Sequence, residues 1–155
     1  MDVVESLLAV IKERDNNLLK MCLKPKTASV LLLRQILQSN EENVASSIIS
    51  SIVSSKVIES IVGSLEVEWA VERIAAVGIL RRCMQQDGKC RNIIADKAQL
   101  ALVLGSFMGA SNEERFEIVY FFSELVKLNR YNYLCVSQYT LLPHFLLINL
   151  ELMPA

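Results

Sequence analysis

An all-α fold, a right-handed solenoid of stacked three-helix repeats, is what three features of this sequence predict. Apolar residues recur at helical spacing along most of the chain. Five glycines and three prolines in 155 residues leave few places for the tight turns of a sheet protein. Short strings of residues return at a nearly constant offset, which is the mark of a repeat architecture.

Taken in order, Val3, Val4, Leu7, Leu8 and Ile11 share one helical face, and a second short segment is expected over 17–23, stopped by Pro25. Thr27 or Ser29 opens the next helix, which carries Leu31, Leu32, Leu33, Ile36 and Leu37 and ends near Asn40. Two helices follow at about 44–53 and 56–65, with Ser55 placed to cap the second. A long helix over 67–85 carries Ala70, Ile74, Val77, Leu80 and Met84 and stops at Asp87-Gly88. Shorter helices are expected at 89–95 and 98–108. Ser111-Asn112-Glu113-Glu114 has the capping-box form and opens a long helix reaching about Asn129.

The helices thus fall into triples that end in a long helix, and the sequence repeats with them. Gly63-Ser64-Leu65 matches Gly105-Ser106-Phe107 at an offset of 42, and Glu72-Arg73-Ile74 matches Glu114-Arg115-Phe116 at the same offset. Leu23 falls 42 before Leu65, and Ile36-Leu37 falls 43 before Ile79-Leu80. A three-helix period in the low forties is that of armadillo and HEAT arrays, longer than the ~34 residues of a tetratricopeptide unit. About three units are expected, over 1–40, 43–86 and 88–129, followed by a divergent apolar tail over 131–155. In the last unit Phe116, Ile118, Val119, Phe121, Phe122, Leu125 and Val126 leave little polar surface, so that helix must be covered on several sides.

Composition narrows the function. Lys plus Arg is 16 against 17 for Asp plus Glu, a net charge of −1, so no basic excess is available for nucleic acid. Asp2 and Glu5 stand where a signal peptide would be basic, and Cys22, Cys83, Cys90 and Cys135 show no disulfide framework, so an intracellular site, cytoplasmic or nuclear, is expected. The nearest approach to a membrane span, 133–150, is interrupted by Ser137, Gln138, Pro143, His144 and Asn149.

Catalytic equipment is not expected either, and with it no cofactor. The single histidine, His144, sits beside Pro143 in the tail, and pairing it with Cys135 makes a poor nucleophile and base. Cys83 and Cys90 lack zinc-ligand spacing and read as buried thiols. Asp87-Gly88-Lys89 lacks the glycines and strand of a phosphate loop. Glu66, Glu68 and Glu72 read as acids on the solvated start of a helix.

Binding is the remaining class. Trp69 stands near the start of a long helix with Arg73 one turn on, within stacking reach, and such pairs anchor interfaces. Filling a gap between helices is the competing role of Trp69, since its counterpart one unit on is Ser111. Arg115, the counterpart of Arg73, completes the candidate protein-binding surface.

The strings Val57-Ile58-Glu59-Ser60-Ile61-Val62, Ser64-Leu65-Glu66-Val67-Glu68-Trp69, Glu72-Arg73-Ile74-Ala75-Ala76-Val77-Gly78-Ile79-Leu80 and Asp87-Gly88-Lys89-Cys90-Arg91-Asn92 resemble the armadillo-like region of the plant U-box E3 ubiquitin ligases of the Cerberus/LIN type. Phe121-Phe122-Ser123-Glu124-Leu125-Val126-Lys127-Leu128-Asn129-Arg130 closes the similarity, which covers roughly 48–130. The resemblance implies a segment of a ligase that elsewhere carries a U-box and a WD40 propeller, neither of which is in these residues. It implies a protein-binding scaffold for a ligase substrate or regulator, with no chemistry of its own. A free-standing adaptor that binds the same partners without supporting ubiquitin transfer is the alternative, and an unrecognised enzyme is the third reading. The tail after Arg130 departs from the family's pattern and is expected to come from a break in the gene model. The last long helix would then lack its natural neighbour and leave an apolar face for the tail or another molecule to cover, an uncapped end open to self-association.

Overall fold

The computed structural model of the chain describes residues 3–12, 24–39, 41–106, 109–127 and 129–137. Among these it forms nine α-helices and no strand. They are α1 (Val3–Lys12), α2 (Pro25–Ser39), α3 (Glu42–Ser54), α4 (Ile58–Val62), α5 (Ala70–Gln86), α6 (Cys90–Lys97), α7 (Leu100–Ser106), α8 (Asn112–Val126) and α9 (Arg130–Ser137). One 3-10 turn, Gly63–Leu65, continues α4. The expected segment over 17–23 and most of the tail lie outside the described residues, as do Phe107 and Met108.

The long helices set the arrangement. α5 packs on α8 and, on another side, on α2, so α2, α5 and α8 follow one another in a stack. Because α5 is hemmed in, it buries Ala75, Ala76, Val77, Ile79, Leu80, Cys83 and Met84, which leaves almost no polar face over its middle turns. α8 does the same with Ile118, Val119, Phe121, Phe122 and Leu125. Phe121 and Phe122 meet edge to face, with ring centres 5.4 Å apart. One continuous core runs from Leu8 in α1 to Val136 in α9.

Several boundaries differ from the expected ones for local reasons. Pro25 opens α2 instead of preceding it; a first helical residue has no use for its N–H, and a fixed φ suits it. Thr27 and Ser29, expected to start the helix, are buried within it. Ser55 closes α3, its N–H donating to the Ser51 carbonyl. Lys56 then takes a left-handed φ of 59°, and α4 begins after Val57. Ser111 caps α8 as its sequence requires, its hydroxyl oxygen accepting the Glu114 N–H at 3.3 Å.

After Val126 the chain is helical again. α9 occupies 130–137, where the sequence reads as aperiodic, and it buries Asn132 and Val136 against α8. Val119 and Phe122 of α8 are buried, and α9, which begins the tail, packs against that helix.

Candidate functional site

The first turns of α5 and α8 carry the sequence-predicted residues. Trp69 is the residue before α5 and remains 43% exposed. Arg73 does not stack on it. Its Nε donates to Glu114 Oε1 at 2.7 Å and its Nη2 to Oε2 at 3.2 Å, a two-pronged pair between successive long helices. Nη1 donates to the Val67 and Glu68 carbonyls. The guanidinium is thereby committed to holding α5 on α8. Arg115 is half-buried one repeat on.

Glu72, expected on a solvated helix start, is instead buried. It accepts the Thr27 hydroxyl at 2.7 Å and the Ser64 hydroxyl at 2.8 Å, linking α5 to α2 and to the 3-10 turn. Glu66 and Glu68 are exposed as expected. The third residue of each long helix after α2 is therefore a buried carboxylate held from the preceding long helix.

A second constellation crosses all three long helices. Arg34 on α2 lays its guanidinium across Gly78 of α5, in the space a Cβ would take there. By that route its Nη2 reaches Glu117 Oε1 on α8 at 2.8 Å. Arg81 approaches the other oxygen of Glu117 at 3.9 Å and lies over the Tyr120 ring, 4.9 Å from its centre. Glu117 Oε2 and Arg81 Nε have no hydrogen-bond partner. Phe116 and Tyr120, one turn apart on α8, are exposed beside this network. The result is a polar and aromatic strip spanning α2, α5 and α8.

Sequence reasoning passed over Arg34, Arg81, Glu117 and Tyr120. The available signal was Gly78: a glycine inside a long helix costs about 1 kcal/mol against alanine and implies a close approach.

Away from this strip the helices are tied by Arg82 to Glu42 at 3.0 Å, Gln86 to Ser46 and Ser50, and Arg91 to Glu124. Cys83 and Cys90 are buried free thiols, and burial pushes their pKa up to about 12 and about 11. Raised values keep them protonated and unreactive. Among the described residues no cluster of three His, Cys, Asp or Glu side chains is placed to hold a metal ion. No single helix there is long and apolar enough to cross a membrane. The pairing of Cys135 with His144 falls outside what can be described.

Comparison with known proteins gives a consistent set of relatives. LIN-1 and LIN-2 of Lotus japonicus, each named "Putative E3 ubiquitin-protein ligase", are 34% identical over 131 residues, 83% of this chain. The LIN protein of Medicago truncatula is 33% identical over the same length. The chain spans about 9% of the length of each of these relatives. No solved structure matches. The family model "Putative E3 ubiquitin-protein ligase LIN, ARM-like domain" matches residues 35–136, six residues past the point where the string resemblance ends and through most of α9. The stack of helices described above therefore belongs to the ARM-like domain family of the LIN proteins.

Proposed function

We propose that this chain is a protein-docking scaffold, a non-catalytic segment of a ubiquitin ligase that holds a substrate or regulator on the face shared by α2, α5 and α8. The observation that carries the reading is the strip itself. Phe116 and Tyr120 stay exposed next to Arg81 and Glu117, where Arg81 Nε and Glu117 Oε2 are buried without hydrogen-bond partners. An aromatic and arginine-rich surface on a rigid helical support has the composition of an interface anchor. The matched region of the relatives is their ARM-like domain, so ubiquitin transfer would lie in other parts of a ligase.

The test is site-specific photo-crosslinking in plant extract. A benzophenone amino acid at Tyr120 or Phe116 is compared with one at Ser47, an exposed position on α3. Protein adducts that form at 116 and 120 and disappear with excess unlabelled chain are the expected result. Equal labelling at 47 and 120 defeats the proposal. The free-standing adaptor differs in outcome: its captured partner would bind equally well yet never become ubiquitinated. Self-association is a second reading, favoured by the exposed Tyr131, Tyr133 and Leu134 of α9; sedimentation equilibrium of a Leu134→Asp variant against the parent chain tests it.

A further inference from the structure

Arg34, Arg73, Arg82 and Arg91 are half-buried, and each donates a hydrogen bond to a carboxylate on a neighbouring element, at 2.8, 2.7, 3.0 and 3.4 Å in that order. Arg81 is equally sheltered, with 20% of its side chain exposed, yet among the described residues its guanidinium donates to nothing. Its Nε is buried without a partner, and its Nη2 stops 3.9 Å from Glu117 Oε2. The guanidinium lies instead over the Tyr120 ring, which orients its plane and leaves its donors unused.

Glu117 does not supply the missing acceptor, because Arg34 already holds its other oxygen. Two guanidiniums around one carboxylate leave one positive charge in excess at the middle of the α2–α5–α8 face. Arg82, next along α5, adds no compensating anion there. Its partner Glu42 sits at the start of α3 with its side chain 80% exposed, where water screens the pair. Phe116, one turn before Tyr120 on α8, is exposed and offers an apolar contact beside the cation.

We infer that this face recognises an acidic segment of a partner protein, with an aspartate or glutamate carboxylate on Arg81 and an apolar side chain beside it on Phe116. The inference rests on the docking role proposed above and adds the chemistry of what docks. A planar guanidinium that is oriented and partly desolvated suits a carboxylate, which accepts two parallel N–H bonds from it. A basic segment meets like charge here. A phosphoserine brings about two negative charges, of which the excess charge on the face offsets one.

The probe is a capped peptide, Gly-Leu-Glu-Glu-Leu-Gly, titrated into the 15N-labelled full chain, with Gly-Leu-Gln-Gln-Leu-Gly as the neutral form. Shifts are read at the Arg81 Nε–Hε group and at the backbone amides of 116–120. Saturation at about 0.1–1 mM is expected for so short a ligand. The glutamine peptide should bind at least ~5-fold more weakly, and added salt should narrow that gap. Arg81→Gln should abolish the preference for glutamate. Glu117→Gln keeps an acceptor for Arg34 but removes the competing charge, so it should tighten the acidic peptide by about 2–5-fold, a gain that a purely structural role of this cluster would not give. Equal binding of the two peptides, a preference that survives Arg81→Gln, or no saturable shift by about 5 mM overturns the inference. So does a phosphoserine peptide that binds at least ~10-fold more tightly than the glutamate one, since phosphate would then be the ligand. Should Arg81→Gln lower Tm, Glu117→Gln alone decides. Crosslinking of a partner at 116 that is undiminished by Arg81→Gln would leave the docking face standing and remove its acidic partner, whereas equal labelling at 47 and 116 would remove both.

Discussion

Glu72 and Glu114 occupy matching places, third in α5 and third in α8, yet different chemistry holds them. Glu72 accepts two hydroxyls, and Glu114 accepts a guanidinium. Their removal should differ accordingly. Glu114→Ala strands a mostly buried arginine and should cost about 2–4 kcal/mol, near the range for breaking a buried pair. Glu72→Ala leaves the Thr27 and Ser64 hydroxyls unsatisfied and should cost about 1–3 kcal/mol. Urea unfolding of both variants checks this, and two losses below about 0.5 kcal/mol would show that neither clasp matters.

Cys83 and Cys90 predict a dependence on alkaline pH. Their folded pKa values, about 12 and about 11, lie above the ordinary thiol value of 9.0, so the folded state binds these protons more tightly than the unfolded one. Stability contributed this way is full below pH 9 and is lost as pH rises towards 11 and 12. The slope reaches at most about 2.7 kcal/mol per pH unit, from two protons. Lys26 acts in the opposite sense: its folded pKa is lowered, so its buried charge costs stability at lower pH and the cost fades as pH rises towards 10.5. Denaturant midpoints between pH 8.5 and 11 should therefore fall, and a Cys83→Ala, Cys90→Ala double variant should flatten the fall.

Among the helices, the junction of α8 with α9 turns on Asn129. That residue reads in sequence as the end of one helix, whereas in the structure it caps the next. Its Oδ1 accepts the Asn132 N–H at 3.0 Å, and its Nδ2 donates to Asn92 on α6 at 2.9 Å. Asn132 in turn donates from Nδ2 to the Leu125 carbonyl, satisfying the end of α8. Asn129→Ala removes a cap and a link to α6, and about 1–2 kcal/mol should be lost. Hydrogen exchange should speed up first at the amides of 131–136; uniform exchange across α9 and α5 would mean the cap is not local. An asparagine followed by Arg-Tyr-Asn was a legible cap signal. Without a clean apolar period beyond it, nothing in the sequence marked a helix for it to open.

Across the whole chain, the Arg34–Glu117 pair couples α2 to α8 over the back of α5, and Gly78 is the gap it passes through. A double-mutant cycle on Arg34 and Glu117 should give a coupling of about 0.5–1.5 kcal/mol for so sheltered a pair. In a Gly78→Ala background the added methyl meets the guanidinium, and the coupling should fall towards zero. The gain in helix propensity, about 1 kcal/mol, offsets much of the loss. Total stability is thus a poor readout and the cycle a good one. An unchanged coupling in that background would show that Arg34 has another path to α8.

The helical class, the repeat and most element positions were legible because they rest on local rules: apolar spacing, a capping box at Ser111, Asp87-Gly88 as a stop, and strings returning after 42 residues. These act within a few turns of chain and leave their trace in order along it. Arg34 meeting Glu117, Arg73 turning from Trp69 to Glu114, and Glu72 buried between two hydroxyls were settled by packing. All but one of those contacts join partners 41 to 83 residues apart, and the exception, Ser64 with Glu72, is decided by which helix face a neighbour covers. A charged residue on a helix reads as solvated until the stacking of helices removes its water, and no local pattern records that.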